Sequence, residues 1–309
     1  MGFVHLHNRS QYSILDGAMR PGELVDRATE LNMQSIALTD TCNLYGAVEF
    51  YEAAEGAGIH PIFGSELWIW PEGIDALDDR TPDGGWNLVF LIESEKGYRN
   101  LCALVTHAIF DGMHFRPRID LQQLEAHRDG LIVLTGGIHG PMGISCRGDS
   151  TIAQERIESL LKILGPDHLF LELQDVGMPG QADANKRARA ISKKLGVRTV
   201  VTNDCRYVHS SDAITLDLLN SIARGETLDS PGRQGLPTDQ QYIKTEDEMR
   251  DLFPDDGDAI DRTVEIAQRC QFKFTMGTYY FPATKPPDIE ASADAPQPDT
   301  DANWDFFYT

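Results

Sequence analysis

Apolar, β-rich runs and amphipathic helical stretches take turns along most of this 309-residue chain, and that alternation restricts the fold more than any other feature. Apolar runs predict strands at Phe3–His7, Ser35–Thr39, Pro61–Ile69, Asn87–Ile92, Leu131–Thr135, His168–Leu173 and Arg198–Thr202. Helical spacing between them predicts helices at Pro21–Leu31, Leu44–Ala57, Lys96–Ile109, Thr151–Leu164 and Gln181–Leu195. Pro21 suits a first helical turn, and Gly58, Gly165 and Gly196 stand where helices should stop. Strands interleaved with helices predict a parallel sheet, either doubly wound or closed into a barrel.

The polar residues choose between the two. His7 ends the first strand, Asp40 follows the second and Glu66 lies within the third. Asn87 borders the fourth, Gly136-Gly137 follows the fifth and Asp204 follows the seventh. Functional groups at the ends of many strands, instead of at one switch point, favour a barrel. Neither a G-x-G-x-x-G turn nor a G-x-x-x-x-G-K-[ST] loop is present, so nucleotide-binding folds lack support.

Within the first strand His5, His7 and Arg9 fall on one face if the strand is regular. An H-x-H pair close to Asp16 is a plausible start for a Zn²⁺ or Mn²⁺ site, because imidazole and carboxylate ligate both. On these residues alone, two polar side chains merely ending a strand is the commoner outcome for an isolated H-x-H.

Charge narrows the partners. With 48 acidic against 27 basic residues the net charge is −21, and such a surface repels a phosphate backbone. The five cysteines, Cys42, Cys102, Cys146, Cys205 and Cys270, are scattered and never in C-x-x-C spacing. They read as free thiols of a reducing, cytoplasmic setting. No apolar run approaches the roughly 18–20 residues that cross a bilayer, so no membrane role is expected. The remaining histidines, His60, His107, His114, His127, His139, His168 and His209, stand at no ligand spacing and read as surface or core-edge groups. His139 and Cys205 lie near enough to candidate positions in sequence to check.

After residue 212 the pattern becomes helical, at Ala213–Arg224, Glu246–Phe253 and Asp258–Cys270. We divide the chain into a barrel at 1–212, a helical extension at 213–283 and an acidic Pro/Ala/Asp-rich linker at 284–309. The aromatic end Trp304-Asp305-Phe306-Phe307-Tyr308 suggests a natural polypeptide that continues.

Longer motifs carry a family resemblance. His5-Leu6-His7 with Tyr12-Ser13-Ile14-Leu15-Asp16-Gly17, Ala37-Leu38-Thr39-Asp40 with Asn43-Leu44-Tyr45-Gly46, and Pro61-Ile62-Phe63-Gly64-Ser65-Glu66 resemble the PHP (polymerase and histidinol phosphatase) domain. More narrowly they resemble the PHP domains that open bacterial DNA polymerase III α subunits. Gly130-Leu131-Ile132-Val133-Leu134-Thr135-Gly136, Thr202-Asn203-Asp204 and Thr227-Leu228-Asp229 continue the likeness, which spans about residues 3–283. It implies a distorted seven-stranded (β/α) TIM-like barrel. In metal-binding members a cluster of side chains at the mouth holds Zn²⁺, Mn²⁺ or Fe and cleaves phosphoesters, as phosphatase or 3′–5′ exonuclease.

Carried over position by position, the resemblance implies a degenerate site. His7, Asp16, Glu66 and Asp204 match family ligands, and Asp40 is kept beside a substituted one. Five ligand positions hold Arg9, Thr41, Asn87, Gly137 and Arg206. Guanidiniums stay protonated, and at about 4 Å a unit charge repels a dication by several kcal/mol even at an effective dielectric near 20. Arg9 and Arg206 are therefore expected to pair with Asp16, Glu66 and Asp204 in place of metal.

Two functional readings follow. In the first, the segment is an inactive scaffold that docks a proofreading exonuclease subunit and other replisome proteins. A longer parent chain would then be a DNA polymerase using Mg²⁺ and meeting DNA through downstream domains. In the second, it is a residual phosphoesterase using His5, His7, Asp16, Glu66 and Asp204. Pro287-Asp288-Ile289-Glu290 is similar to a polymerase acidic motif but reads as coincidence in a linker.

Overall fold

Local chemistry explains where the elements begin and end. In the computed structural model Pro21 opens α1 (Pro21–Glu30), where its missing N–H costs nothing. The Asp149 carboxylate accepts the Thr151 and Ile152 N–H groups to start α5 (Ser150–Leu164). Gly58 and Gly196, both left-handed, end α2 (Ala47–Ala57) and α6 (Gln181–Leu195). The other elements of the first 212 residues are β1 (Ser35–Leu38), β2 (His60–Ile69), β3 (Trp86–Ile92), α3 (Glu95–Phe110), β4 (Arg118–Ile119), α4 (Leu121–Ala126), β5 (Leu131–Leu134), β6 (Leu169–Gln174) and β7 (Thr199–Thr202). After them come α7 (Ala213–Ala223), α8 (Glu246–Leu252) and α9 (Gly257–Arg269).

The structure describes residues 2–74, 84–146 and 148–277. The end of the expected extension, the acidic linker at 284–309 with Pro287–Glu290, and the aromatic terminus lie outside these residues. Met1–Lys273 form one compact unit, and a second unit begins at Phe274.

The sheet runs β1-β2-β3-β5-β6-β7, with β4 paired to β2 off this path. Parallel pairing holds for β1 with β2, β5 with β6 and β6 with β7. The wholly parallel sheet expected from sequence is corrected at one strand: β3 is antiparallel to both β2 and β5. Among the described residues no helix separates β2 from β3, and the chain doubles back there.

The amino-terminal segment joins the two edges. Ala37 N–H donates to His5 O and Thr39 N–H to Asn8 O on the β1 side. Arg9 N–H donates to Cys205 O, and Cys205 N–H to His7 O, beyond the end of β7. The result is a distorted, TIM-like α/β barrel. Residues 3–7, expected as a regular strand, form an extended but irregular segment instead, with a bridge at Asn8 alone.

Inward-facing rows divide the barrel into layers. Val4, Leu6, Ala37, Ile62, Val89, Leu91, Ile132, Leu134, Phe170 and Val200 form one buried apolar cluster, which Ile266 and Ala267 of α9 and Cys270 just after it join. Along each strand the inward row then turns polar, because alternate residues share a face. Ile62 leads to Glu66, Phe170 to Glu172 and Gln174, and Val200 to Thr202 and Asp204. On β3 the polar residue is the first inward one, Asn87, because that strand runs the other way. Every polar end therefore collects at one mouth.

Candidate functional site

At the mouth a buried imidazole is held between carboxylates. His7 donates from Nδ1 to Glu172 Oε1 at 2.8 Å and from Nε2 to Glu66 Oε2 at 3.0 Å. Its Nε2 also stands 3.6 Å from Asp204 Oδ1. Burial alone would hold the imidazole neutral, but the charges of Glu172 and Asp204 and the hydrogen bonds to Glu172 and Glu66 outweigh it and push its pKa up to about 10. Both ring nitrogens thus face carboxylate oxygens, an arrangement that favours the protonated ring.

The guanidiniums complete the arrangement. Arg9, 2% exposed, reaches Asp16 Oδ2 at 2.5 Å and Glu66 Oε2 at 2.6 Å, and stands 3.5 Å from Asp204 Oδ1. Arg206 donates to Asp16 Oδ1, and to Asp204 Oδ2 at 3.0 Å. These are the pairs expected from sequence. Burial works against ionised Glu66 and Asp204. Arg9 and His7 nevertheless hold Glu66 well below the usual carboxylate range, and Arg206, Arg9 and His7 hold Asp204 down. Three cations (His7, Arg9, Arg206) face four carboxylates (Asp16, Glu66, Glu172, Asp204), so the cluster carries most of its own neutralisation.

The other positions from the sequence fall into place around this cluster. Thr41, Asn87 and His139 line the same cavity, of about 470 Å³, as Arg9, Asp16, Glu66 and Arg206. Burial, with Arg206 and Arg9 nearby, lowers the His139 pKa. Gly137 has φ +57, and a Cβ there would collide with Gln174 Oε1. The Gln174 amide thus fills the space a ligand side chain at 137 would use, and donates to Glu172 Oε1 at 3.0 Å and Thr202 Oγ1 at 3.1 Å. Asp204 itself sits at φ 44, a conformation few non-glycine residues adopt. Gln241 Nε2 donates to its Oδ2 at 3.0 Å.

Two residues leave the candidate set. Asp40 is used as an anchor: Oδ1 accepts the Ser10 N–H and the Ser13 hydroxyl, each at 2.7 Å, and Oδ2 accepts the Ser10 hydroxyl at 2.8 Å. Burial raises its pKa against those hydrogen bonds. His5 does not share a face with His7. Its Nε2 meets Lys244 O at 2.8 Å and its Nδ1 stands 3.4 Å from Cys205 Sγ, with burial pulling its pKa down to about 4. Leu6 belongs to the interior cluster and His7 also reaches the interior, so the alternation breaks between them and leaves His5 behind. Cys205 therefore packs on His5 and not at the mouth.

Glu172 was missed in the sequence. It lies in the apolar run Leu169–Leu173, and its parity with Phe170 was the available signal: an acid on an inward row must meet a buried cation.

The polar atoms left open at this mouth are mixed in kind. Orphaned buried polar atoms of both kinds are present: Arg9 Nε is a donor, while Asp204 Oδ1, Asn87 Oδ1 and Glu172 Oε2 are acceptors. A cation serves acceptors alone, and here it would also face two permanent guanidinium charges. Among the described residues no group of three or more His, Cys, Asp or Glu side chains is arranged to hold a metal ion.

Comparison with known proteins supplies the family. The family model described as "PHP domain" matches residues 5–176. DNA polymerase III subunit alpha of Thermus aquaticus is 37% identical over 284 residues, 89% of this chain and 23% of the relative. The Escherichia coli K12 subunit is 37% identical over 282 residues, 91% of this chain and 24% of the relative. That of Treponema pallidum is 34% identical over 275 residues, 88% and 24% respectively. The chain thus spans about a quarter of the length of these relatives. An amidohydrolase structure from Chromobacterium violaceum is 16% identical with a TM-score of 0.48, covering 66% of this chain and 87% of the other. The likeness to that structure is too loose to bear on activity. The chain belongs to the PHP domain family.

Proposed function

We propose that this chain is a PHP domain of a DNA polymerase III α subunit in which guanidiniums have taken the place of the metal cluster, leaving a structural and docking module without hydrolytic chemistry. The observation that carries the reading is the placement of Arg9 and Arg206 on Asp16, Glu66 and Asp204. In this reading the parent polypeptide performs DNA synthesis with Mg²⁺ in domains outside this chain and meets DNA there. Proofreading comes from a separate exonuclease subunit docked on this domain, in the cytoplasm. All five cysteines are free, and among the described residues no helix is long and apolar enough to cross a membrane; both accord with that setting.

The convergence of His7, Asp16, Glu66 and Asp204 favours the second reading, a residual metal-dependent phosphoesterase or 3′–5′ exonuclease. One experiment separates them. The chain is assayed with p-nitrophenyl phosphate and single-stranded DNA in Mn²⁺ or Zn²⁺, with metal content measured alongside. We expect no turnover above background. Metal-dependent hydrolysis that Asp204→Ala abolishes would refute the scaffold reading. Co-elution with an exonuclease subunit tests the docking role separately.

A further inference from the structure

Away from the mouth, two histidines meet although twenty positions separate them in sequence. His107 lies in the last turn of α3, and His127 is the residue that ends α4. Their ring centroids are 5.5 Å apart with the planes tilted by 52°. We propose that His107 and His127 form a two-imidazole site for Zn²⁺, stapling the end of α3 to the end of α4.

Hydrogen bonding fixes which nitrogen each ring offers. His107 Nδ1 lies 2.7 Å from Asp111 Oδ2, and His127 Nδ1 lies 3.1 Å from Gln123 O. A carboxylate and a carbonyl can only accept, so both Nδ1 atoms carry the proton and both Nε2 atoms of the neutral rings keep a free lone pair. Metal-binding imidazoles are commonly held this way, by a carboxylate or a backbone carbonyl on the far nitrogen.

The spacing agrees with shared coordination. With Zn–N bonds of about 2.0–2.1 Å and tetrahedral angles, two imidazoles on one ion have centroids roughly 5.2 Å apart. The observed separation is within a few tenths of an ångström of that. Both residues are partly exposed, so an ion can reach them, and the surrounding acidic surface attracts cations. Two protein ligands leave the remaining coordination positions to water or to a donor from a bound partner. Imidazole pairs select borderline ions such as Zn²⁺ over Mg²⁺. The site is independent of the mouth, where Arg9 and Arg206 pair with Asp16, Glu66 and Asp204.

Isothermal titration of the chelator-stripped 309-residue chain with ZnCl₂ tests this. One equivalent of Zn²⁺ is expected to bind, at least tenfold more weakly in His107→Ala and in His127→Ala. Asp111→Asn should weaken it less, and His168→Ala, at another exposed imidazole, should leave it unchanged. Melting curves of each variant establish that it remains folded. Zn²⁺ affinity indifferent to both histidine substitutions, or no binding by the unmodified chain, overturns the site. Binding lost only with Asp204→Ala would place the ion at the mouth and overturn this proposal and the scaffold reading together.

Discussion

Replacing Arg9 by methionine keeps most of the side-chain volume and removes only the charge and its donors, so it isolates what the guanidinium does. In the native cluster three cations face four carboxylates; in Arg9→Met two cations would face the same four. Glu66 and Asp204 are 2% and 6% exposed, so water cannot take over, whereas the half-open Asp16 is largely relieved by solvent. Breaking one side of a buried ion pair costs about 3–5 kcal/mol. For a unit of this size the unfolding entropy is about 0.6 kcal/mol per degree, so Tm should fall by about 5–9 °C. Differential scanning calorimetry at pH 7.5 reads this directly. Near pH 5 the deficit should shrink, because unpaired buried carboxylates take up protons. Mn²⁺ should recover part of the loss in Arg9→Met, where the dication replaces the missing charge, and should leave the wild type unmoved. A loss below about 1 kcal/mol, or a wild type that Mn²⁺ stabilises, would show that the guanidinium does not neutralise this cluster.

Other outcomes follow from the same geometry. The His7 pKa is about 10 folded against 6.5 unfolded, so its stabilisation is whole below pH 6.5 and is lost as pH rises through 10. Denaturant titrations should show stability declining over that window, and His7→Gln should flatten the decline. At the acid end the depressed Glu66 and Asp204 contribute above the unfolded carboxylate range and lose that contribution as pH falls below it. Gly137→Ala should cost about 2 kcal/mol or more from the left-handed backbone and the clash with Gln174, and Gln174→Ala should return part of it when the double variant is melted. The net charge of −21 should make Tm rise with KCl between 0.05 and about 1 M, as screening shortens to about 3 Å; a flat profile would deny that surface self-repulsion matters.

Much of this architecture was legible because burial writes itself into periodicity. Helix α6 coincides with its sequence assignment, and the strand ends agree within a residue or so, since each is bounded by an apolar run meeting a glycine or a polar turn. What could not be read was direction and phase. A strand's pattern does not tell whether its neighbour runs parallel, so the reversal of β3 shows only in the pairing itself. The break in alternation between Leu6 and His7 is likewise invisible, because a period-2 pattern presumes the regular strand that hydrogen bonding to two edges distorts. The short β4 and α4 escaped because two and six residues show no period. Arg9 and Arg206 could be matched to Asp16, Glu66 and Asp204 because the family resemblance puts all five at ligand positions of one mouth, where opposite charges pair. Glu172 had no such flag once its strand was read as wholly apolar.

The seam that closes the barrel also orders events in time. Arg9 and His7 pair with Cys205, and Asp16 with Arg206 across 190 positions, so the earliest-made residues of the barrel wait for almost the last of it. At about 5–20 residues per second, that wait is on the order of 10–40 s. Through it Val4 and Leu6 stay exposed beside the charged residues that will eventually neutralise one another. Folding of this domain is therefore gated by the completion of its own seventh strand, and a nascent chain stalled before Cys205 should be a substrate for holding chaperones.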